Sequence, residues 1–337
     1  MTTPPGMVRI AVDAMGGDHG PAEIIKGAAL AAKQGGVAVL LVGDPDKVQP
    51  ELPKYGKLPI MPVPSEGMIV EGEHPALALR QKPKASILVA TGAVKKGMAD
   101  ACVTMGSTGG AMAAAAVVLG MFEGIERPAL GGPVIGFANK QVIIDLGTNV
   151  DCKPQQLLSF AVIGNVFART FWGVEKPRIA LLTVGSESGK GNKQVKETAE
   201  LFQKSGLNFT GNVEGNDLPF GRADVVVCDG FVGNIVMKLT EGLGEATSHL
   251  LKERLKGKMA EADAEAIAKE VFDLHNVVEV NGGGPLLGVN GVSVVGHGRG
   301  RADAVARAIG MAKKAVDVGF VAKLNTELAQ VRANVGV

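Results

Sequence analysis

One recurring pattern constrains this chain more than anything else in it. A short, almost wholly apolar, β-branched run is followed by a glycine-rich turn and then by an amphipathic or alanine-rich stretch. Strands without polar alternation are buried on both faces, as in a parallel sheet covered by helices above and below. The pattern predicts strands over 8–14, 37–42, 101–105, 141–146, 178–184, 224–228 and 292–295. It predicts helices over 21–33, 109–121, 154–171, 192–205, 234–256, 260–274 and 301–318. Strand and helix alternate, so the expected class is α/β with a mainly parallel sheet. The 337 residues allow one large unit over 7–330, or two intertwined subdomains within it. Aromatics are 4% against 46% hydrophobic residues, so the core must be built from Ala, Val, Ile, Leu and Met. No internal repeat is evident, and the proline-rich stretch 49–64 reads as an exposed excursion.

The helices over 234–256 and 260–274 break the rhythm, because no strand separates them. Joined at Gly257, they read as a helical hairpin spanning 234–275, suited to dimer or membrane contact. Leu239, Leu243, Ala246, Leu250 and Leu251 form an apolar stripe on its first arm. Lys252, Arg254, Lys256 and Lys258 cluster near its tip, where a solvated face is the plain reading.

Several function classes drop out. A net charge of +1 gives no basic face for nucleic acid. Cys102, Cys152 and Cys228 are far apart, which argues against a disulfide framework or a zinc site and fits a reducing cytoplasm. Residues 1–6 lack the basic-then-apolar layout of a signal peptide, and the apolar stretch 111–122 is too short to span a bilayer.

Ligands of open α/β sheets bind beyond the carboxyl ends of the strands, so the candidates lie in the turns. The first turn holds Asp13, Gly16, Gly17, Asp18 and His19 ahead of a helix start, where free backbone amides bind anions. Gly106, Ser107 and Thr108 follow the 101–105 strand; they make either an anion cradle or an ordinary helix cap. The turn over 145–151 contributes Asn149. The turn over 185–192 contributes Gly185, Lys190, Gly191 and Asn192. That last turn is not a nucleotide P-loop, because Gly191 follows the lysine where Ser or Thr must hold magnesium. Asp229, Gly230, Gly233 and Asn234 open another helix, and His297 sits among glycines after the 292–295 strand. These cradles are expected to converge at one edge of the sheet. A serine hydrolase lacks its G-x-S-x-G elbow here. A dinucleotide site lacks G-x-G-x-x-G, although Asp44 could mimic its ribose-binding acid.

The stretch Ile10-Ala11-Val12 with 13–18 resembles the opening signature of the bacterial phosphate acyltransferases of phospholipid synthesis. The resemblance continues through Arg80-Gln81-Lys82-Pro83, Arg127-Pro128-Ala129, the 145–151 turn, Gly189-Lys190-Gly191-Asn192, Gly211-Asn212-Val213-Glu214-Gly215, 228–234 with Lys238, Gly284-Pro285-Leu286-Leu287-Gly288 and Gly296-His297-Gly298. Ser107, Thr183 and Arg299 depart from the usual pattern. The resemblance implies a three-layer α/β/α fold with a mainly parallel, mixed sheet, similar to the isocitrate and isopropylmalate dehydrogenases and to phosphotransacetylase. It implies an acyltransferase of EC class 2.3 that moves a fatty acyl group from acyl carrier protein to inorganic phosphate, with no cofactor and no metal. It also implies a homodimer, peripheral contact with the inner face of the cell membrane, and a downstream glycerol-phosphate acyltransferase as partner.

Such chemistry needs phosphate held against the thioester carbonyl, a stabilised oxyanion and an assisted thiolate departure. Lys190 is the expected phosphate or oxyanion ligand, His19 or His297 the acid, and Gly16, Gly17, Ser107, Thr108 and Asn234 the neutral donors. Asp13, Asp18 or Asp229 would orient them. The rival readings are a nicotinamide-dependent decarboxylating dehydrogenase, for which no acidic metal cluster is evident, and a non-catalytic phosphate- or lipid-binding regulator.

Overall fold

The structure is a computed structural model and describes residues 6–336. Along the chain run β1 (Val8–Asp13), α1 (Ala22–Gln34), β2 (Val37–Gly43), α2 (Pro45–Val48), β3 (Ile60–Pro64), α3 (Pro75–Gln81), α4 (Ser86–Lys95), β4 (Ala101–Thr104) and α5 (Thr108–Ala114). Then come β5 (Ala129–Gly132), β6 (Val142–Ile144), α6 (Pro154–Trp172), β7 (Ile179–Leu182), α7 (Lys193–Lys204), β8 (Phe209–Val213), β9 (Val225–Val227), α8 (Gly230–Leu255), α9 (Glu261–His275) and α10 (Val277–Val280). The chain ends with β10 (Gly284–Leu287), β11 (Val292–Val295), α11 (Ala302–Asp317) and α12 (Phe320–Val335).

Two compact units result. The first comprises the chain up to Pro128 together with Asn281–Ala322. The second comprises Ala129–Val280 and the chain from Lys323 onward. In the first unit the strand order is β3-β2-β1-β4-β11-β10. All neighbours there are parallel except β10, which runs antiparallel to β11. In the second the order is β5-β6-β9-β7-β8, again parallel except for β5 against β6. The strands β1, β4, β6, β7 and β9 are buried nearly throughout, as their unalternating sequences require.

Helices cover both faces of each sheet. In the first unit α1 packs so closely on α11 that a Cβ at Gly27 would meet Ala302 O and Val305 Cβ at 2.5 Å. In the second, α6 lies on one face, where a Cβ at Gly164 would come within 2.3 Å of Val225 Cγ1. The other face is closed by Val232, Val236 and Met237 of α8 against Ile143, Ala180, Val226 and Leu182.

The units repeat one another. The strand path β10-β11-β4-β1-β2 of the first corresponds to β5-β6-β9-β7-β8 of the second, each opening on its antiparallel strand. Register agrees as well. Ile10, Ala11 and Val12 face Ala101, Cys102 and Val103, while Ile179, Ala180 and Leu181 face Val225, Val226 and Val227. One ion pair recurs atom for atom. Arg9 N, Nε and Nη2 reach Asp100 at 2.8, 3.1 and 2.5 Å. Arg178 N, Nε and Nη2 reach Asp224 at 2.7, 3.1 and 2.9 Å. The expectation of no internal repeat is therefore corrected. Arg9-Ile10-Ala11 recurs as Arg178-Ile179-Ala180. Gly97, Ala99, Asp100, Val103, Gly106 and Gly109 recur as Gly221, Ala223, Asp224, Val227, Gly230 and Gly233. The two blocks recur at different spacings because the first unit carries extra chain, including β3 and α3, between β2 and β4. The second copy is also circularly permuted, its counterparts of β10 and β11 coming first, so no single period runs along the chain.

The seven expected strands and seven expected helices are all present, within a few residues at their ends, the helix expected over 109–121 being α5 continued by a π-helical turn over Ala115–Leu119. β3, β5, β8 and β10 were not expected. β3 falls in the stretch read as an excursion; it pairs parallel to β2 at the sheet edge, where Pro62 and Pro64 are tolerated. α8 starts at Gly230 rather than 234, because Asp229 caps it. The hairpin forms, with Gly257 at φ +74° in its bend. Its inner face is made of small residues: Ser248, Ala264 and Ala268 are buried, and a Cβ at Gly244 would meet His275 Cβ at 2.4 Å. The leucine stripe points outward instead, with Leu239 60%, Leu243 52% and Leu250 50% exposed. No helix among the described residues is long and apolar enough to cross a membrane.

Candidate active site

Each unit brings its own turns together at the carboxyl ends of its parallel strands. In the first unit the centre is Asp13, the buried last residue of β1. Its Oδ1 accepts the Met15 amide at 3.1 Å, and its Oδ2 accepts the Thr104 hydroxyl at 2.7 Å. Thr104 Oγ1 in turn accepts the Gly106 amide at 3.0 Å. The two turns touch through backbone: a Cβ at Gly16 would lie 2.7 Å from the Gly106 nitrogen. Gly17, at φ +86°, lets the Asp18 amide reach Gly298 O at 2.9 Å, which draws the His297 loop alongside. Burial pushes the Asp13 carboxyl above its ordinary range, opposed by hydrogen bonding from Ser86, Thr104, Met15 and Gly16. Ser86 lies beside it at the start of α4, although its hydroxyl makes no hydrogen bond of ordinary geometry. Ser107 caps α5, its Oγ accepting the Gly110 amide at 3.3 Å; the capping alternative is thus realised, and Thr108 is the first helical residue. Asp18 is exposed, and His19 and His297 are half-buried.

In the second unit the centre is Asp145, which follows β6 and is fully buried. Asn149 is buried too. Its Nδ2 donates to Asp145 Oδ2 at 2.9 Å and to Thr148 Oγ1 at 2.7 Å, so its amide hydrogens point inward. Its carbonyl accepts the Gly230 amide at 2.7 Å, joining this turn to the start of α8. Asp229 caps α8 by accepting the Val232 amide at 2.9 Å on Oδ1. Gly233 is required there, because any Cβ would lie 1.8 Å from the Asp145 carbonyl oxygen. Asn234 donates to Leu146 O at 3.3 Å. β7, next to β9, ends in the 185–192 turn. Gly185 is buried against the Lys190 stem, and Gly191 sits at φ +100° against Val195. Asn192 caps α7 through the Val195 amide at 2.9 Å. Lys190 is exposed, and among the described residues its ammonium makes no ion pair.

The candidates therefore fall into two groups. Asp13, Gly16, Gly17, Asp18, His19, Gly106, Ser107, Thr108 and His297 belong to the first unit. Asn149, Gly185, Lys190, Gly191, Asn192, Asp229, Gly230, Gly233 and Asn234 belong to the second. Sequence reasoning passed over Asp145 and Thr148, the hub of the second group. Their signal was an Asp immediately after an apolar run and a hydroxyl residue three positions on.

Three points bear on chemistry. The Cys152 thiol is pushed up to about 12 by burial and by Asp145 and Asp229, against the Gly230 amide. Cys228 is pushed up for the same reasons, so neither thiol beside the second cluster is poised as a thiolate nucleophile. Among the described residues no cluster of His, Cys, Asp and Glu has the makings of a metal site. Among the described residues beside the second cluster, the Lys190 ammonium and the Phe231 amide, which capping leaves unused, are available to an anion.

The fold is that of a class of α/β proteins with solved members. The chain is similar to a phosphotransacetylase from Streptococcus pyogenes, with TM-score 0.64 and 18% identity over 94% of this chain and 95% of that one. It is similar also to a putative 4-hydroxythreonine-4-phosphate dehydrogenase from Salmonella typhimurium, with TM-score 0.54 and 14% identity over 91% of this chain and 99% of that one. Both likenesses bear out the three-layer expectation. Residues 8–323 match the family model described as Fatty acid synthesis protein, and the chain belongs to that family. It is 44% identical to the phosphate acyltransferase of Desulfitobacterium hafniense (strain DSM 10664 / DCB-2), over 97% of this chain and 99% of that protein. It is 43% identical to the phosphate acyltransferase of Nostoc sp. (strain PCC 7120), over 95% and 96%. The protein is an acyltransferase, and the resemblance drawn from the motifs holds.

Proposed function

We propose that this enzyme transfers a fatty acyl group from acyl carrier protein to inorganic phosphate, supplying acyl phosphate for phospholipid synthesis. The observation that supports it most is the likeness, over nearly the whole chain, to proteins named phosphate acyltransferase. The second unit suits that chemistry: the Lys190 turn after β7 and the first turn of α8 after β9 end adjacent parallel strands.

In the reaction a phosphate oxygen attacks the thioester carbonyl carbon. A tetrahedral intermediate forms, its C–S bond breaks, and the pantetheine thiolate leaves and takes up a proton. Lys190 and the Phe231 amide in the first turn of α8, which the cap leaves free, hold phosphate and offset the developing charge. Holding both reactants in place replaces a bimolecular encounter. His19 or His297 delivers the proton. The raised thiols of Cys152 and Cys228 favour direct attack over an acyl-cysteine intermediate.

A homodimer is part of the reading. Phe231, Ile235, Leu239 and Leu243 are each at least half exposed along one face of α8, and a second copy would cover them. The exposed Lys252, Arg254, Lys256 and Lys258 at the hairpin tip suit an acidic carrier protein or the anionic inner membrane surface.

The test is turnover of a long-chain acyl carrier protein with inorganic phosphate. Free carrier-protein thiol is followed and acyl phosphate is trapped with hydroxylamine. Phosphate-dependent release of both products, by a protein that sediments as a dimer, is expected. No reaction from the folded protein would overturn the reading. Phosphate binding without thioester consumption would then favour a regulator.

A further inference from the structure

Asp145 is buried at 0% exposure, yet among the described residues no cation pairs with it. It accepts from the Leu130 amide at 3.1 Å, the Gly147 amide at 3.3 Å and the Thr148 amide at 3.2 Å. It also accepts from the Thr148 hydroxyl at 2.5 Å, and from the Asn149 amide and side chain at 2.7 and 2.9 Å. A carboxylate offers about four lone-pair sites, so these donors leave none for a substrate. Burying a charge is costly unless hydrogen bonds satisfy it, and a turn of this length does not require one.

The internal repeat sharpens the point. Ile144 pairs with Val227 on β9, and Val294 pairs with Val103 on β4, so Asp145 corresponds to Val295. There the first unit builds its turn with no carboxylate, while the backbone bond from the Gly296 amide to Thr104 O at 2.8 Å matches that from the Asp145 amide to Cys228 O at 3.0 Å in the second. The shared framework thus stands without an acid at this position.

What the acid holds is specific. The turn it gathers presents three carbonyls to α8: Asn149 O receives the Gly230 amide, Leu146 O receives the Asn234 side chain, and Asp145 O lies against Gly233. These residues span the helix start to which the proposed function assigns phosphate. We propose that Asp145 is a positioning residue: it fixes the Gly147–Asn149 turn, and through it the first turn of α8, in the geometry that receives phosphate, without touching the substrate. This rests on the functional reading above.

The experiment compares the full-length enzyme with Asp145→Asn and with the milder Thr148→Ala, which keeps the charge but removes one donor. Asn keeps the shape of Asp but turns an N–H toward backbone N–H groups. Amide hydrogen exchange should therefore accelerate in peptides covering 145–150 and 229–235, while β7 and α6 stay protected. The KM for phosphate should rise ~10-fold or more in Asp145→Asn and a few-fold in Thr148→Ala, with the KM for the acyl donor unchanged. A merely structural role would lower the active fraction, and hence kcat, and leave both KM values alone. Unchanged exchange at 229–235, or an unchanged phosphate KM in active protein, overturns the proposal alone. A wild-type enzyme without phosphate-dependent turnover overturns the functional reading and the phosphate half of this proposal with it.

Discussion

The two units carry the same scaffold and different chemistry. Both have the same strand path, the same register and the same Arg–Asp clamp at the amino ends of adjacent strands. At the carboxyl ends they diverge. The first unit places its buried acid on β1, where Leu182 is the counterpart; the second places it after β6, where Val295 is the counterpart. The turn after β1 holds Asp18 and His19, and the corresponding turn after β7 holds Glu187 and a free lysine. A parallel sheet leaves its strand ends to the loops, so the interior can be copied while the loops change.

If the second unit bears the phosphate, Lys190→Ala should lose about 10²-fold or more in kcat/KM, the scale of losing one charge-stabilising group. His19→Ala, in the first unit, should depress kcat with the KM for phosphate little altered. Near wild-type turnover in both folded variants would break the functional contrast.

The next effect is structural. Gly109 and Gly233 are equivalent in the repeat but unequally crowded. A Cβ at Gly109 meets Pro75 Cγ at 3.2 Å, whereas one at Gly233 falls 1.8 Å from a backbone carbonyl. Gly233→Ala should cost about 3 kcal/mol by forcing α8 off its seat. Gly109→Ala should stay within about 1 kcal/mol of wild type, since alanine favours a helix. Equal urea midpoints for the two variants would show that the helix starts are not differently seated.

The smallest effect concerns pH. Burial raises the Asp13 carboxyl in the folded state. As pH climbs from the ordinary carboxylate range through that raised value, the unfolded chain has already lost the proton that the folded chain keeps. Stability contributed by this site is therefore present at low pH and lost as pH rises, by at most about 1.4 kcal/mol per pH unit. Asp13→Asn has no such proton, so its stability should gain on wild type as pH rises above the ordinary carboxylate range. Parallel stability curves for the two proteins would remove this difference from the first unit.

How much of this was legible beforehand follows the physics of each part. Unbroken apolar runs such as Ile10-Ala11-Val12 and Val225-Val226-Val227 announce strands buried on both faces. β3 and β8 escaped because edge strands are half exposed: their prolines, glycine and polar residues look like loop. The glycines of the site could be read as turns, but not as close approaches. Whether Gly233 or Gly109 is irreplaceable depends on what lies opposite. Ser107, Asn192 and Asp229 were visible as polar residues at helix starts, and three-dimensional contacts show their oxygens spent on capping.

The sequence by itself determined the class of fold, the positions of the main strands and helices, the hairpin and the family, because these depend on local periodicity and on long runs of matching residues. Only the tertiary structure decided that the chain repeats itself in permuted order, that the hairpin's leucines face outward, and that Asp145 rather than Asn149 is the hub of its turn. Those facts rest on contacts between residues far apart along the chain, such as Asp145 with Leu130 and with the helix start at Gly233. No local pattern carries them.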